Sequence, residues 1–389
     1  MAAGRARSAT PAEQSGRPAP LTSATPALAR LYEATLDRVL HRVAVREPGA
    51  IRPEVLAFHR STPVVDLLVG TALFHRDLLR SRAGGQVDLA RLRQGGIDLV
   101  GLSIATRFPD LRGTLSAPHF RLLGLPVGKG ELALVEALVG RIEGWAERSG
   151  GGLVLVRRPA DLAVLGDGRV HAFLGVQGGH VLEGEPRNVE RLTALGIRVF
   201  GIAHVMDNEL VGSNTGRRGY GLTPFGREVI AELEGRGIIV DLAHVSSAGI
   251  RDALPLLTRP FLVSHTGLLA LAGGRSRWRR YAPATRNVSS EDARLVAQAG
   301  GVIGLTLSTS LLGARTPAAF AQAVHRAAET VGLEHLAIGS DFDGGLETIV
   351  DAARLPALTQ ALLDSGFSRE AAAAILGGNA LRTLRATWS

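Results

Sequence analysis

Apolar residues recur at helical spacing from Leu28 to about Val45 (Leu28, Leu31, Leu36, Val39, Leu40, Val43), which predicts an N-terminal helix. Beyond it the pattern changes. Short, almost wholly apolar runs at 63–69, 97–104, 170–176, 197–203, 237–242, 260–264, 301–307 and 335–340 alternate with stretches of helical period. Those stretches include Asn188–Leu195, Thr223–Glu234, Ser290–Ala299 and Pro317–Val331. A strand with one wet face alternates apolar and polar residues; a run without that alternation is buried on both faces, as in a parallel sheet covered by helices. Eight such strands interleaved with helices predict an α/β fold, the (β/α)8 TIM barrel. Thr223 before Pro224, and Ser290 before Glu291 and Asp292, give cap signals for two of the helices. A ninth apolar run, Leu153–Val156, and the stretch from Phe108 to Gly151 are surplus to eight units and are expected as insertions. The helices after Pro356 are expected to close the outer ring. The expected organisation is a disordered tail over 1–27, a helical arm over 28–60, and a barrel over 61–389 with insertions near 108–157 and 270–284.

The polar residues that end the apolar runs carry the candidate chemistry, because a β/α barrel places its functional side chains at the carboxyl ends of its strands. The third run ends in Gln177-Gly178-Gly179-His180, the fourth in Ala203-His204, the fifth in Asp-Leu-Ala-His at 241–244. Val-Ser-His at 263–265 ends the sixth, and Gly-Ser-Asp-Phe-Asp at 339–343 the eighth. Of 11 histidines, His204, His244 and His265 thus terminate consecutive predicted strands. Neutral imidazoles converging from neighbouring strands suit zinc at ~2.0–2.1 Å, and a zinc-bound water ionises near neutrality. Asp341 across the mouth could then carry the proton from nucleophile to leaving amine. The first run, by contrast, ends in Leu68 and Gly70, which offer no ligand. Each residue also has a plainer reading: Asp341 as a turn cap, Arg286 beside Asn287 as a helix cap, Gln177 as a partner of the glycine turn that follows it.

Composition narrows the picture. A chain of 389 residues would ordinarily suggest two or three domains, but a β/α barrel takes about 250 or more as one unit. The absence of cysteine excludes disulfides, thiolate metal sites and cysteine nucleophiles, so a metal would need His, Asp, Glu or neutral oxygen ligands. The net charge of +8 comes with one lysine, Lys129, and reflects arginine usage along the whole chain. The one local concentration is Arg275, Arg277, Arg279 and Arg280 around Trp278 and Tyr281; no nucleic-acid fold signature accompanies it, and it is expected as a solvated loop. No run approaches the ~20 apolar residues that span a bilayer, and residues 1–27 lack an apolar signal core. A soluble, cytoplasmic protein with no nucleic-acid or membrane partner is expected.

The chain resembles the membrane dipeptidase (renal dipeptidase) family of zinc peptidases, amidohydrolase-like barrels, from about Pro63 to Leu384. The resemblance rests on Gly-Gly-His-Val-Leu-Glu-Gly at 178–184, Leu-Thr-Pro-Phe-Gly-Arg-Glu at 222–228 and Val-Asp-Leu-Ala-His-Val-Ser at 240–246. Val-Ser-His-Thr at 263–266, Arg286-Asn287 and Gly-Ser-Asp-Phe-Asp-Gly at 339–344 complete it.

The resemblance implies a dinuclear zinc centre with a bridging glutamate, one ion completed by a His-x-Asp pair on strand one and the other by two histidines. Those two histidines are present as His244 and His265. The His-x-Asp pair falls on Leu68 and Gly70, and the bridging glutamate on Gln177, so the implied dinuclear site is incomplete. His75 and Asp77 spell His-x-Asp again, but well past the strand; His180 is the better spare ligand. By resemblance His204 contacts the substrate carbonyl, Arg286 binds the peptide carboxylate, Asp341 handles the proton, Asp343 is structural, and a homodimer is the implied assembly. Three readings follow: a dipeptidase-type hydrolase acting on a dipeptide or small amide with at most one zinc on His244, His265 and Gln177 or Asp341; an inactive homologue that binds a small ligand or partner; and a metal-free enzyme using His204, Asp341 and Arg286.

Overall fold

The computed structural model describes residues 31–72 apart from 32, 33 and 36, then 76–81, 83–107, 130–271 and 283–388. The predicted tail over 1–27, His75 and the Arg275–Arg280 cluster lie outside the described residues. Every one of the eight apolar runs holds a strand: β1 (Val65–Val69), β2 (Leu99–Ala105), β4 (Val170–Gln177), β5 (Ile197–Gly201), β6 (Ile239–Asp241), β7 (Leu262–Thr266), β8 (Val302–Leu305) and β9 (Leu336–Ile338). The surplus run forms β3 (Leu153–Leu155). All pairings are parallel, in the order β2-β1-β9-β8-β7-β6-β5-β4, and β2 pairs with β4 from Leu99↔His171 to Ala105↔Gln177, which closes the barrel. β3 takes the edge of β4 at residues 170–172, before β5 begins to pair there at Leu174.

The core has two compartments. Outside the barrel, strand residues pack against the surrounding helices in one large apolar cluster. Inside its lower end, Val65, Leu99, Phe173, Val199, Ile239, Leu262, Val302 and Ala337 meet, at least one from each barrel strand. Ala380, Leu381, Leu384 and Trp388 of the last helix, Asn379–Trp388, join this inner cluster, and Trp388 meets Phe173 edge-on at 5.7 Å. The last helix therefore plugs the floor of the barrel instead of completing the outer ring, because the open lower end would otherwise leave apolar strand residues in water.

Three other expectations need adjustment. The stretch read as an insertion contains the helix Glu131–Arg148, whose Leu134, Val135, Leu138, Ile142 and Trp145 are part of the outer core. Its first turn is satisfied from a distance: Glu131 N–H (2.5 Å) and Leu132 N–H (3.2 Å) donate to Glu183 Oε1. The cap of the helix Ser290–Gln298 is Ser289, whose hydroxyl accepts from Asp292 N–H, not Ser290. The N-terminal helix stops by Val39, short of Val45, because residues 43–45 extend alongside the loop after β9: Ala44 N–H donates to Thr348 O (2.8 Å) and Val45 N–H to Ile349 O (2.9 Å). Among the described residues no helix is long and apolar enough to cross a membrane.

Candidate active site

The ends of β5, β6, β7 and β9 bring His204, His244, His265 and Asp341 to one mouth, with Arg286 among them. His204 and His244 lie edge-on with ring centroids 4.8 Å apart, and His244 and His265 likewise at 4.9 Å. His244 sits at φ +66°, a left-handed conformation uncommon for a side-chain-bearing residue, which turns its ring toward β7. The Nε2 atoms of His244 and His265 are 3.0 Å apart.

The protons on this pair follow from its neighbours. Asp241 at the end of β6 accepts from Ala243 N–H, Ser264 N–H and the Ser264 hydroxyl. Having given its one proton to Asp241, Ser264 Oγ accepts from His265 Nδ1–H at 2.9 Å. A neutral His265 therefore presents a bare Nε2. Arg286 Nη2 lies 3.1 Å from His244 Nε2, and a guanidinium can only donate, so His244 Nε2 is bare as well. Two nitrogen lone pairs converge at 3.0 Å with a cation against one of them. An Asp–Ser–His relay of this kind orients a ligand as carboxylate–histidine pairs do in metal sites.

Burial dominates the titration of the mouth. It lowers His204 to about 4 and His180 to about 3, and it holds His244 and His265 well below the ordinary imidazole value, with the Arg286 charge adding to the effect at His204, His244 and His265. Burial raises Asp341 to about 6, against the opposing pull of Arg286 and His41. His204 Nδ1 faces the Arg107 carbonyl at 3.3 Å, so its neutral form shows Nε2 as an acceptor; donating to a developing oxyanion requires the other tautomer.

The expected site residues that stand apart are equally clear. Asp77 pairs with Arg148 at the surface (3.7 Å). His180 Nε2 is engaged by Thr106 Oγ1 at 3.0 Å. A folded state that keeps His180 neutral loses stability as pH falls from about 6.5 toward 3, because only the unfolded chain gains that proton. His180→Gln is therefore expected to shrink the stability lost between pH 6.5 and 4 by on the order of 3 kcal/mol, read from denaturant melts at both pH values. An unchanged pH slope in that variant would contradict the burial account.

The residues present do not fit the dinuclear centre that the resemblance implies. Leu68 is aliphatic. A Cβ on Gly70 would lie 2.9 Å from the Asp343 carbonyl oxygen and 3.1 Å from Gly344 Cα, so backbone fills that ligand's place. Gln177 is neutral, and its amide Nε2 donates to Ser103 Oγ at 2.8 Å. Its Oε1, however, is buried without a hydrogen-bond partner among the described residues. It borders a small cavity of about 10 Å³, room for one water, that it shares with Asp241 and Ser264. Among the described residues no three of His, Asp and Glu gather to hold a metal. Restoring Leu68→His, Gly70→Asp and Gln177→Glu together is expected to raise metal bound per chain while lowering the melting temperature, since the 343–344 backbone must move. Elemental analysis that finds no added metal in the folded triple variant would overturn the placement of these three positions.

Comparison with known proteins decides the ancestry. The family described as membrane dipeptidase (peptidase family M19) matches residues 53–388. The chain belongs to the membrane dipeptidase family. Within reach of that family, dipeptidase tcpJ of Claviceps purpurea is 28% identical over 312 residues, 77% of this chain and 69% of its own length. Dipeptidase aclJ of Aspergillus oryzae is 30% identical over 227 residues, 56% of this chain, which thus spans about half (51%) of that relative. Among solved structures, a metallo peptidase of Rhodobacter sphaeroides, liganded with a phosphinate mimic of the dipeptide L-Ala-D-Ala, has a TM-score of 0.70 at 23% identity, covering 84% of this chain and 99% of that one. The probable dipeptidase PvdM of Pseudomonas aeruginosa has a TM-score of 0.70 at 18% identity, covering 86% and 98%. Both are similar in fold. The family is a family of metallohydrolases on TIM barrels, and this chain shares that architecture.

What the sequence passed over are the supports: Asp241 and Ser264 stand inside motifs quoted for their histidines, and Arg76 and His41 had no signal at all. The first pair was recoverable, since a Ser directly before a strand-end His, opposite an Asp, is the composition of a relay.

Proposed function

We propose that this protein is a dipeptidase-type hydrolase acting on a dipeptide or a related small amide, with at most one metal ion in place of two. The observation that carries this reading is the 3.0 Å approach of two bare imidazole nitrogens, an arrangement unfavourable on its own and relieved by a cation between or against them. A zinc ion held by His244, His265 and the Gln177 amide oxygen would polarise the scissile carbonyl and acidify a bound water. The rest belongs to the chain. Arg286, buried and positively charged, exchanges its contacts with His244 and the His265 carbonyl for the substrate carboxylate. His204 steadies the carbonyl oxygen in its Nε2–H tautomer. Asp341, close to half ionised near pH 6, accepts the proton of the attacking water and returns it to the leaving amine.

A second reading has its own observation. Arg286 Nη2 stands against His244 Nε2, so the guanidinium supplies positive charge at the place a metal would, and the pocket could bind a dipeptide without turning it over. Metal content per chain, on protein purified without chelator, beside a dipeptide hydrolysis assay, separates the two. About one zinc with turnover supports the mononuclear hydrolase. No metal and no turnover, with a dipeptide still raising the melting temperature, overturns it in favour of the binder.

A further inference from the structure

The loop that follows β9 presents Asp341 in a backbone that does not hold itself. Asp341 (φ +61°) and Asp343 (φ +58°) both occupy the left-handed region, which disfavours any residue with a Cβ. Gly344 has no such freedom to grow: a Cβ there would meet Asp341 Oδ1 at 1.9 Å. Two such residues in three positions persist only where the surroundings over-determine them.

β1 and the loop after β8 hold part of this loop, through Asp341 N–H to Leu68 O (3.2 Å), Gly70 N–H to Phe342 O (2.7 Å) and Ile349 N–H to Leu307 O (2.9 Å); the rest of its support comes from the N-terminal arm and the segment after β1. Asp343 is fully buried, and its carboxylate takes Arg76 as an ion-pair partner, the Thr71 hydroxyl at 3.2 Å and His41 Nδ1 at 3.8 Å. Arg76, 2% exposed, reaches Asp37 of the arm helix at 3.1 Å with its other nitrogen, and Asp37 lies 3.7 Å from His41. The backbone is tied as well. Asp343 N–H donates to Gln86 Oε1 (2.7 Å), and Gln86 Nε2 donates to Arg42 O (2.9 Å) and Leu346 O (2.6 Å). Thr348 N–H donates to Arg42 O at 3.0 Å.

We propose that the N-terminal arm is a working part of the active site: Asp37, acting through Arg76 on Asp343, and His41, lying directly against Asp343, clamp the loop that presents Asp341. Arg76 is a positioning residue. Its guanidinium joins the arm to the loop through the carboxylates of Asp37 and Asp343. The reading fits the missing strand-one ligands, because Gly70 now lies against the Asp343 backbone that this clamp fixes. A plain buried ion network would stabilise the whole barrel evenly; the clamp instead concentrates on residues 341–349.

The inference rests on Asp341 being the proton carrier only where turnover is read, so the experiment has two arms. In the full-length protein, Arg76→Met, Arg76→Lys and the milder Asp37→Asn are compared with wild type by amide hydrogen exchange and by steady-state dipeptide hydrolysis. The clamp requires that Arg76→Met speed exchange at 341–349 by about tenfold or more while the barrel strands keep their protection, and that Asp37→Asn do so to a lesser degree. It also requires kcat to fall about tenfold or more with KM within about threefold, and Arg76→Lys to recover part of both. Exchange that rises uniformly over the barrel, or stays unchanged at 341–349 in Asp37→Asn, overturns the clamp. If wild type hydrolyses no dipeptide, the functional reading fails by itself and the exchange result still decides the clamp.

Discussion

Asp341→Asn is expected to lower kcat for dipeptide hydrolysis by about 10²–10⁴-fold and to leave KM within a few-fold, the range that a positioned proton carrier contributes. The substitution keeps the shape of the side chain and removes its ability to take a proton. The pH profile carries a second, independent mark. Burial raises Asp341 to about 6, and the reaction needs its carboxylate form, so the wild-type rate is expected to fall about tenfold per unit once pH drops well below 6. The acid limb should disappear in the variant. A variant that keeps wild-type kcat, or one whose residual activity retains the same acid limb, would remove Asp341 from the chemistry.

Arg286→Met should act on binding. The guanidinium is 3% exposed, stands beside imidazoles that burial keeps neutral and within electrostatic reach of Asp341 and Asp241, and is the positive charge at the mouth that an incoming carboxylate would meet. Losing one member of a buried charge pair costs about 2–5 kcal/mol, which is a loss of affinity of about 30-fold or more for a dipeptide or its phosphinate mimic. Calorimetric titration reads it directly. The same variant withdraws a cation from His244 Nε2, and metal content per chain is expected to rise or hold even as the dipeptide is lost. Unchanged dipeptide affinity would mean that Arg286 guards the histidine pair and does not receive substrate.

The barrel was open to reading because its evidence is local. Strands buried on both faces must be apolar at every position, and helices packed on one face must repeat at 3.6 residues, so β1, β2 and β4 to β9 each left a run that needs no partner to be recognised. The histidines were legible for the same reason: His204, His244 and His265 each follow such a run, and strand ends are where a barrel keeps its chemistry. The errors fell where the decisive contact is remote in sequence. Nothing in Asn379–Trp388 says that its apolar face enters the floor of the barrel and not the outer layer, since either burial needs the same pattern. Nothing near Val45 says that residues 43–45 leave the helix to pair with 348–349, about 300 positions away.

Sequence by itself established the residue types at the strand ends: imidazoles after β5 and β6 and in β7, an aspartate after β9, and, at the positions where the resemblance implies charged or imidazole ligands, leucine, glycine and glutamine. Identity is enough for that, because a missing donor cannot be supplied by folding. Only the tertiary structure decided how the inventory is used. It set both Nε2 atoms bare and 3.0 Å apart through the Asp241–Ser264 relay and Arg286, and it packed the Asp343 backbone into the space beside Gly70. It also turned the N-terminal arm into the support of Asp341 through Arg76 and Asp343. Protonation, closeness and support are properties of where chains cross, and groups that meet across hundreds of residues leave no periodic trace in the order of the residues.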